Sequence, residues 1–101
     1  MKLAELKRHL KTNGKTLTMV NFEWLDTKSK PTALLNIERK IAEINTVGFC
    51  LWTDKGGGLM RRSYMTWPKA EGFKFTPASG GSVRDSFTFT DEFSTVTYLI
   101  N

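Results

Sequence analysis

The chain has 101 residues, of which 40% are hydrophobic and 25% are charged, and its net charge is +5. This length suits one domain with a modest core, and the composition is that of a globular protein rather than a disordered one. A single cysteine excludes an internal disulfide. No apolar run approaches the roughly 20 residues that a membrane-spanning helix needs. We therefore expect one cytoplasmic domain over 1–101 with no membrane association.

The first predicted element is a short amphipathic helix over 1–13. Leu3, Leu6 and Leu10 recur at the spacing of one helical face, so we expect them to point into the core. Asn13 and Gly14 supply the left-handed backbone conformation that commonly ends a helix.

The rest of the chain, 15–101, is predicted to form strands. Residues 15–24 are rich in β-branched and aromatic side chains, which favours a largely buried strand. Residues 33–45 are ambiguous, because their apolar positions fit a helical stripe and also the alternation of a strand. We favour a strand, since the link to the next apolar run, at 45–46, is too short for a helix to reverse and pack.

The C-terminal half predicts further strands joined by hairpins. The predicted strands are 47–53, 59–67, 73–75, 86–90 and 95–100. Glycines at 56–58 and 80–81 indicate turns, and Pro68 ends its strand because it has no N–H to donate. The pattern predicts an α+β fold, with one helix packed on a small antiparallel sheet that forms a partly closed barrel.

The segment 61–70 is the strongest functional signal. It combines three cations, two aromatic side chains and a proline within ten residues. Tyr, Trp, Met and Arg are enriched at protein interfaces, and cations beside aromatic rings also suit single-stranded nucleic acid. The predicted partner-binding residues are Arg61, Arg62, Tyr64, Trp67 and Lys69.

Only one face of the strand 59–67 can carry this binding. Arg62 and Tyr64 lie on one face of an extended chain, and Met65 and Trp67 lie on the other. We expect Arg62 and Tyr64 to point outward and Met65 and Trp67 to fill the core.

Catalytic and metal-binding functions receive no support from the sequence. His9 is the only histidine and is far along the chain from Cys50, and the sequence indicates no third group to orient it as a base, so a catalytic Cys–His pair receives no support. One cysteine and one histidine cannot supply a zinc site. We therefore expect no enzymatic activity, no cofactor and no metal, with Cys50 buried as a small apolar side chain.

The chain resembles a group of small, mostly uncharacterised proteins encoded by phages and prophages. The resemblance spans most of 3–75 and lies in the opening helix at 3–8, a strand like 17–19, the motif at 67–70 and the short strand at 72–75. It implies an SH3-like β barrel, or strongly bent sheet, with the helix packed on it. It implies no particular activity.

These observations together predict a small non-enzymatic binding module. We expect a phage-encoded accessory protein that binds and modulates a host protein, as an inhibitor or in an anti-defence role similar to that of anti-CRISPR proteins. The alternative is a small nucleic-acid-binding β barrel. An acidic C-terminal hairpin around Asp91 and Glu92, if packed near the site, argues against nucleic acid.

Overall fold

A computed structural model describes residues 1–13, 16–30, 35–54, 60–79 and 84–101, with the side chains of 12–13, 53–54 and 60–62 left out. The described residues form one α-helix followed by seven β-strands, with a 3₁₀ turn at Ala70–Gly72. The elements are α1 (Leu3–Asn13), β1 (Thr16–Trp24), β2 (Glu38–Ile44), β3 (Gly48–Asp54), β4 (Met60–Thr66), β5 (Phe73–Thr76), β6 (Ser86–Thr90) and β7 (Ser94–Ile100). Within these ranges, no helix has the length and apolar character needed to cross a membrane.

The seven strands form one antiparallel sheet in the order β4-β3-β2-β1-β7-β6-β5. The α+β prediction, with one N-terminal helix and an antiparallel sheet, is therefore confirmed. Strands β4 and β5 are the two edges, and no ladder joins them in the described part of the chain. Because the sheet is open there, the closed form of the predicted SH3-like barrel is not confirmed.

The sheet is nevertheless strongly bent. Phe49 in β3 and Phe89 in β6 are separated by three intervening strands, which in a flat sheet would place them roughly 19 Å apart. Their ring centroids are only 6.0 Å apart. The sheet must therefore fold over so that its inner face encloses the core. Irregularities in register after Met19 in β1 and after Ile41 in β2 add the local twist that a bulge introduces.

The core combines aromatic side chains from the sheet with leucines from α1. Leu6 and Leu10 are almost completely buried and Leu3 packs against the same cluster, as the leucine spacing predicted. Phe87 and Tyr98, on neighbouring strands, have ring centroids 5.4 Å apart. Burial of these large rings is the main source of stability for so short a chain.

The structure refines several predicted boundaries. The ambiguous segment 33–45 contains a strand over Glu38–Ile44, and its residues 33–34 lie outside the described part of the chain. In this strand Arg39 is buried, whereas Ile37, which precedes the strand, is exposed. Cys50 is buried, as predicted. The predicted stop at Gly14 and the two glycine turns at 56–58 and 80–81 lie outside the described residues.

Replacing Leu6 with alanine should lower the free energy of unfolding by about 2–5 kcal/mol, because it leaves a cavity in a fully buried position. Chemical denaturation monitored by circular dichroism would measure the change. Ala4→Gly, at an exposed position of the same helix, provides a control for helix propensity alone, with an expected cost near 1 kcal/mol. An unchanged midpoint for Leu6→Ala would contradict the packing of α1 on the sheet.

Tyr98 is a buried ionisable residue whose pKa is shifted by its surroundings. Burial raises the pKa of Tyr98 well above its ordinary value, and the nearby Arg39 guanidinium opposes that rise only in part. The hydroxyl therefore stays protonated in the folded protein at pH values where an unfolded tyrosine would ionise.

The pKa of Tyr98 makes the protein sensitive to alkaline pH. Above about pH 10 the unfolded chain releases a proton that the folded chain retains, so the free energy of unfolding falls by up to about 1.4 kcal/mol per pH unit. Below that pH both states are protonated and the contribution is constant. Tyr98→Phe should show a smaller alkaline loss in denaturant titrations. If the free energy of unfolding falls equally steeply with pH in the two proteins, folding does not raise the pKa of Tyr98.

Candidate functional site

The turn between β2 and β3 organises the end of the molecule where the predicted binding residues lie. The main-chain N–H of Asn45 donates to the Gly48 carbonyl at 2.9 Å. The Asn45 side-chain oxygen accepts from the main-chain N–H groups of Val47, at 2.8 Å, and Gly48, at 3.0 Å. Asparagine favours such turns because its side chain can replace a backbone acceptor. A side chain at Gly48 would overlap the main-chain carbonyl of Met65, so only glycine fits here.

Trp67 connects this turn to the core. Its indole N–H donates to the Asn45 main-chain carbonyl at 2.8 Å, and its main-chain N–H donates to Val47 at 3.0 Å. Its ring centroid lies 5.1 Å from that of Phe49 and 6.0 Å from that of Phe89. Trp67 is therefore mainly a structural residue, with part of its ring left exposed.

The helix also contacts Trp67. The Lys7 ammonium lies 5.1 Å from the centroid of the indole ring, which is within the range of a cation–π interaction. This contact joins α1 to the segment that leaves β4.

The five predicted binding residues differ in their surroundings. Tyr64 is 52% exposed, its hydroxyl lies 3.4 Å from the Asn45 side-chain oxygen, and Lys69 is also exposed. Met65, like Trp67, packs against the core, so the predicted assignment of faces holds for these side chains. The side chains of Arg61 and Arg62 lie outside the description, although their main chain belongs to β4.

A groove of about 540 Å³ runs beside the exposed part of Trp67. One wall is the segment 66–72, which leaves β4 and forms the 3₁₀ turn, and the other is the turn from β6 to β7. The groove is lined by Thr66, Trp67, Pro68, Lys69, Glu71, Gly72, Thr90, Asp91 and Glu92. The acidic pair Asp91 and Glu92 therefore shares this groove with Trp67 and Lys69.

Gly72 allows the two walls to approach each other. A side chain at this position would overlap the main-chain carbonyl of Thr90 at the end of β6. The Gly72 N–H donates to the Lys69 carbonyl at 2.9 Å, which closes the turn. The narrow separation of the groove walls thus depends on glycine at 72.

A second, basic cleft of about 300 Å³ lies between α1 and the β2–β3 turn. Three cationic side chains of the helix line it, together with residues of the turn. The lining residues are Lys7, Arg8, Lys11, Ile44, Asn45 and Thr46. Lys7 and Trp67, which contact each other, belong to the cleft and the groove respectively, so surfaces of opposite charge lie side by side.

Sequence reasoning missed several residues of this site. Neither Asn45 nor Glu71 belongs to a sequence pattern that predicts a role in the site. The sequence marks Asp91 and Glu92 as part of an acidic C-terminal hairpin, but it does not place them in one groove with Glu71 and Trp67. No local signal could have assigned these residues to one groove, because their proximity depends on how the sheet bends. Among the described residues, no group of His, Cys, Asp and Glu side chains is arranged to hold a metal ion.

Comparison of the chain with protein-family models, with curated proteins and with solved structures found no match. Function is therefore inferred from the side chains of the site and their chemistry.

Replacing Trp67 with phenylalanine should lower the free energy of unfolding by about 1–3 kcal/mol, because the hydrogen bond to Asn45 and part of the ring packing are lost. Trp24→Phe is the matched control, since Trp24 is 42% exposed at the end of β1 and should tolerate the change within about 0.5 kcal/mol. Urea denaturation would compare the two variants. Equal effects would contradict the structural role of Trp67.

Proposed function

We propose that the chain is a small non-enzymatic module that binds a protein, built on a strongly bent sheet of the SH3-like kind. The observation that carries this proposal is the groove beside Trp67, with Tyr64 and Lys69 exposed at the same end of the molecule. Apolar and aromatic surface surrounded by charged groups is the usual anatomy of a protein interface.

The charges in the groove favour a protein over a nucleic acid. Of the described residues that line it, Glu71, Asp91 and Glu92 are acidic and only Lys69 is basic. A nucleic acid lying there would bring its phosphates close to these carboxylates, whereas phosphate-tracking grooves are lined by cations. A protein surface can present groups of either sign and can complement both the groove and the neighbouring basic cleft.

The proposal includes no catalytic step. Cys50 is 6% exposed and lies in the strand β3, so its thiol is poorly accessible to a substrate. Tyr98 is enclosed by the aromatic core, and its hydroxyl is protonated at neutral pH like that of any tyrosine, with burial raising its pKa further. Neither group has the exposure that a nucleophile or a general base needs.

The resemblance to phage-encoded proteins makes a host protein the expected partner. A small domain that binds in a fixed ratio can block a host surface without any chemistry of its own. An inhibitory or anti-defence role in the host cytoplasm is therefore the biological form that we propose for this binding.

Tyr64→Ala and Lys69→Ala should each weaken binding to the captured partner, and the loss for Tyr64 should be about tenfold or more if it is an interface anchor. The test is affinity capture from a host lysate with and without nuclease, followed by measurement of dissociation constants with the purified partner. Trp24→Ala is the control, because this exposed aromatic residue lines neither the groove nor the cleft.

The outcomes separate the protein from the nucleic-acid alternative. Protein capture that survives nuclease and is weakened by Tyr64→Ala supports the proposal. Capture that disappears with nuclease, together with a salt dependence that Arg62→Ala reduces by about one phosphate contact, would replace it with nucleic-acid binding.

A further inference from the structure

We propose that the groove beside Trp67 binds an arginine side chain from a basic segment of the partner protein. This inference rests on the proposed protein-binding function and assigns the chemistry of what enters the groove. It follows from the apolar lining, the hydrogen-bonding groups that remain available, and the charge of the groove rim.

The apolar part of the groove comes from Trp67 and Pro68. The indole N–H is already donated to the Asn45 carbonyl, so the ring offers a ligand carbon surface rather than a donor. Pro68 likewise has no N–H. These two residues can therefore contact the aliphatic stem or the flat face of a long side chain.

The polar groups that remain are mostly acceptors. Glu71 and Glu92 are exposed, and among the described residues their carboxylates form no hydrogen bond or ion pair. Asp91 is different, because its Oδ1 accepts from the main-chain N–H groups of Phe93, at 2.8 Å, and Ser94, at 2.9 Å. Asp91 thus holds the turn in shape, while Glu71 and Glu92 are available to a ligand.

Arginine matches this combination better than other side chains. Its guanidinium carries five N–H donors and no acceptor, can bridge two carboxylates, and packs its flat face on aromatic rings. Its aliphatic stem suits the surface of Trp67 and Pro68. A volume of about 540 Å³ is ample for one such side chain and the backbone beside it.

The position of the groove suits a partner segment that is basic locally. The protein as a whole is positively charged, so the groove is a region of reversed sign on a basic molecule. An arginine that enters it would lie between Glu71 and Glu92, while acidic groups of the same partner could face Lys7, Arg8 and Lys11 in the cleft. Paired contacts of opposite sign fix the orientation of a partner.

The test uses a capped Gly-Ser-Arg-Ser-Gly peptide with the full-length protein, followed by backbone amide chemical shifts. We expect millimolar binding that perturbs amides in 66–72 and 90–92. The same peptide with citrulline in place of arginine keeps the shape and removes the charge, and it should bind at least about threefold more weakly. A glutamate peptide should not bind.

The double variant Glu71→Gln, Glu92→Gln should weaken binding of the arginine peptide by roughly three- to tenfold, since exposed ion pairs contribute modestly. The double variant Glu5→Gln, Glu38→Gln is the matched control. It removes two exposed carboxylates from α1 and β2, outside the groove and the cleft, and should bind as the wild type does. Amide spectra of both variants would verify that the fold is retained.

Each contrary result overturns the arginine site. These results are no binding at millimolar peptide, equal binding of the citrulline peptide, perturbed amides elsewhere, or equal weakening by both double variants. The peptide experiment does not involve the natural partner. If the peptide experiment fails while capture of a protein partner still resists nuclease and still depends on Tyr64, only the arginine site is rejected. If capture is instead lost with nuclease, the protein-binding function itself is rejected.

Discussion

The contact between the rings of Phe49 and Phe89 is the constraint on which the rest of the structure depends. These residues belong to β3 and β6, and their rings can meet only because the sheet folds over through the three strands between them. Phe49 also contacts Tyr98 and Trp67, so one ring joins three parts of the chain. Edge-to-face and tilted ring contacts of this kind fill a small core densely.

The same bending creates the candidate site. It brings the segment leaving β4 against the end of β6, where Gly72 passes close to the carbonyl of Thr90. The carboxylates of Glu71 and Glu92 then line one groove with Trp67, although they are distant in sequence. Trp67 therefore supports the core with its buried part and lines the groove with its exposed part.

An irregularity in β1 explains why the alternation of side chains along a strand does not predict the face on which Phe22 lies. Strict alternation from Leu17 and Met19 would place Phe22 on the opposite face of β1. The shift in register after Met19 instead pairs Phe22 with the buried Val96, and Phe22 packs against the core. A bulge exchanges the two faces for all side chains that follow it in the strand, and no local residue preference predicts this bulge.

The sequence by itself determined the helix, the strands and the faces on which Leu6, Tyr64 and Met65 lie, because these follow from local periodicity and burial of apolar side chains. The motif at 61–70 contains Trp67 and Lys69, which both line the groove. Only the tertiary structure decided that the sheet stays open between β4 and β5, and that acidic residues from 71 and 91–92 meet beside Trp67. Such proximity depends on the sum of twist, bulges and ring packing over seven strands, and these are non-local quantities that no short segment encodes.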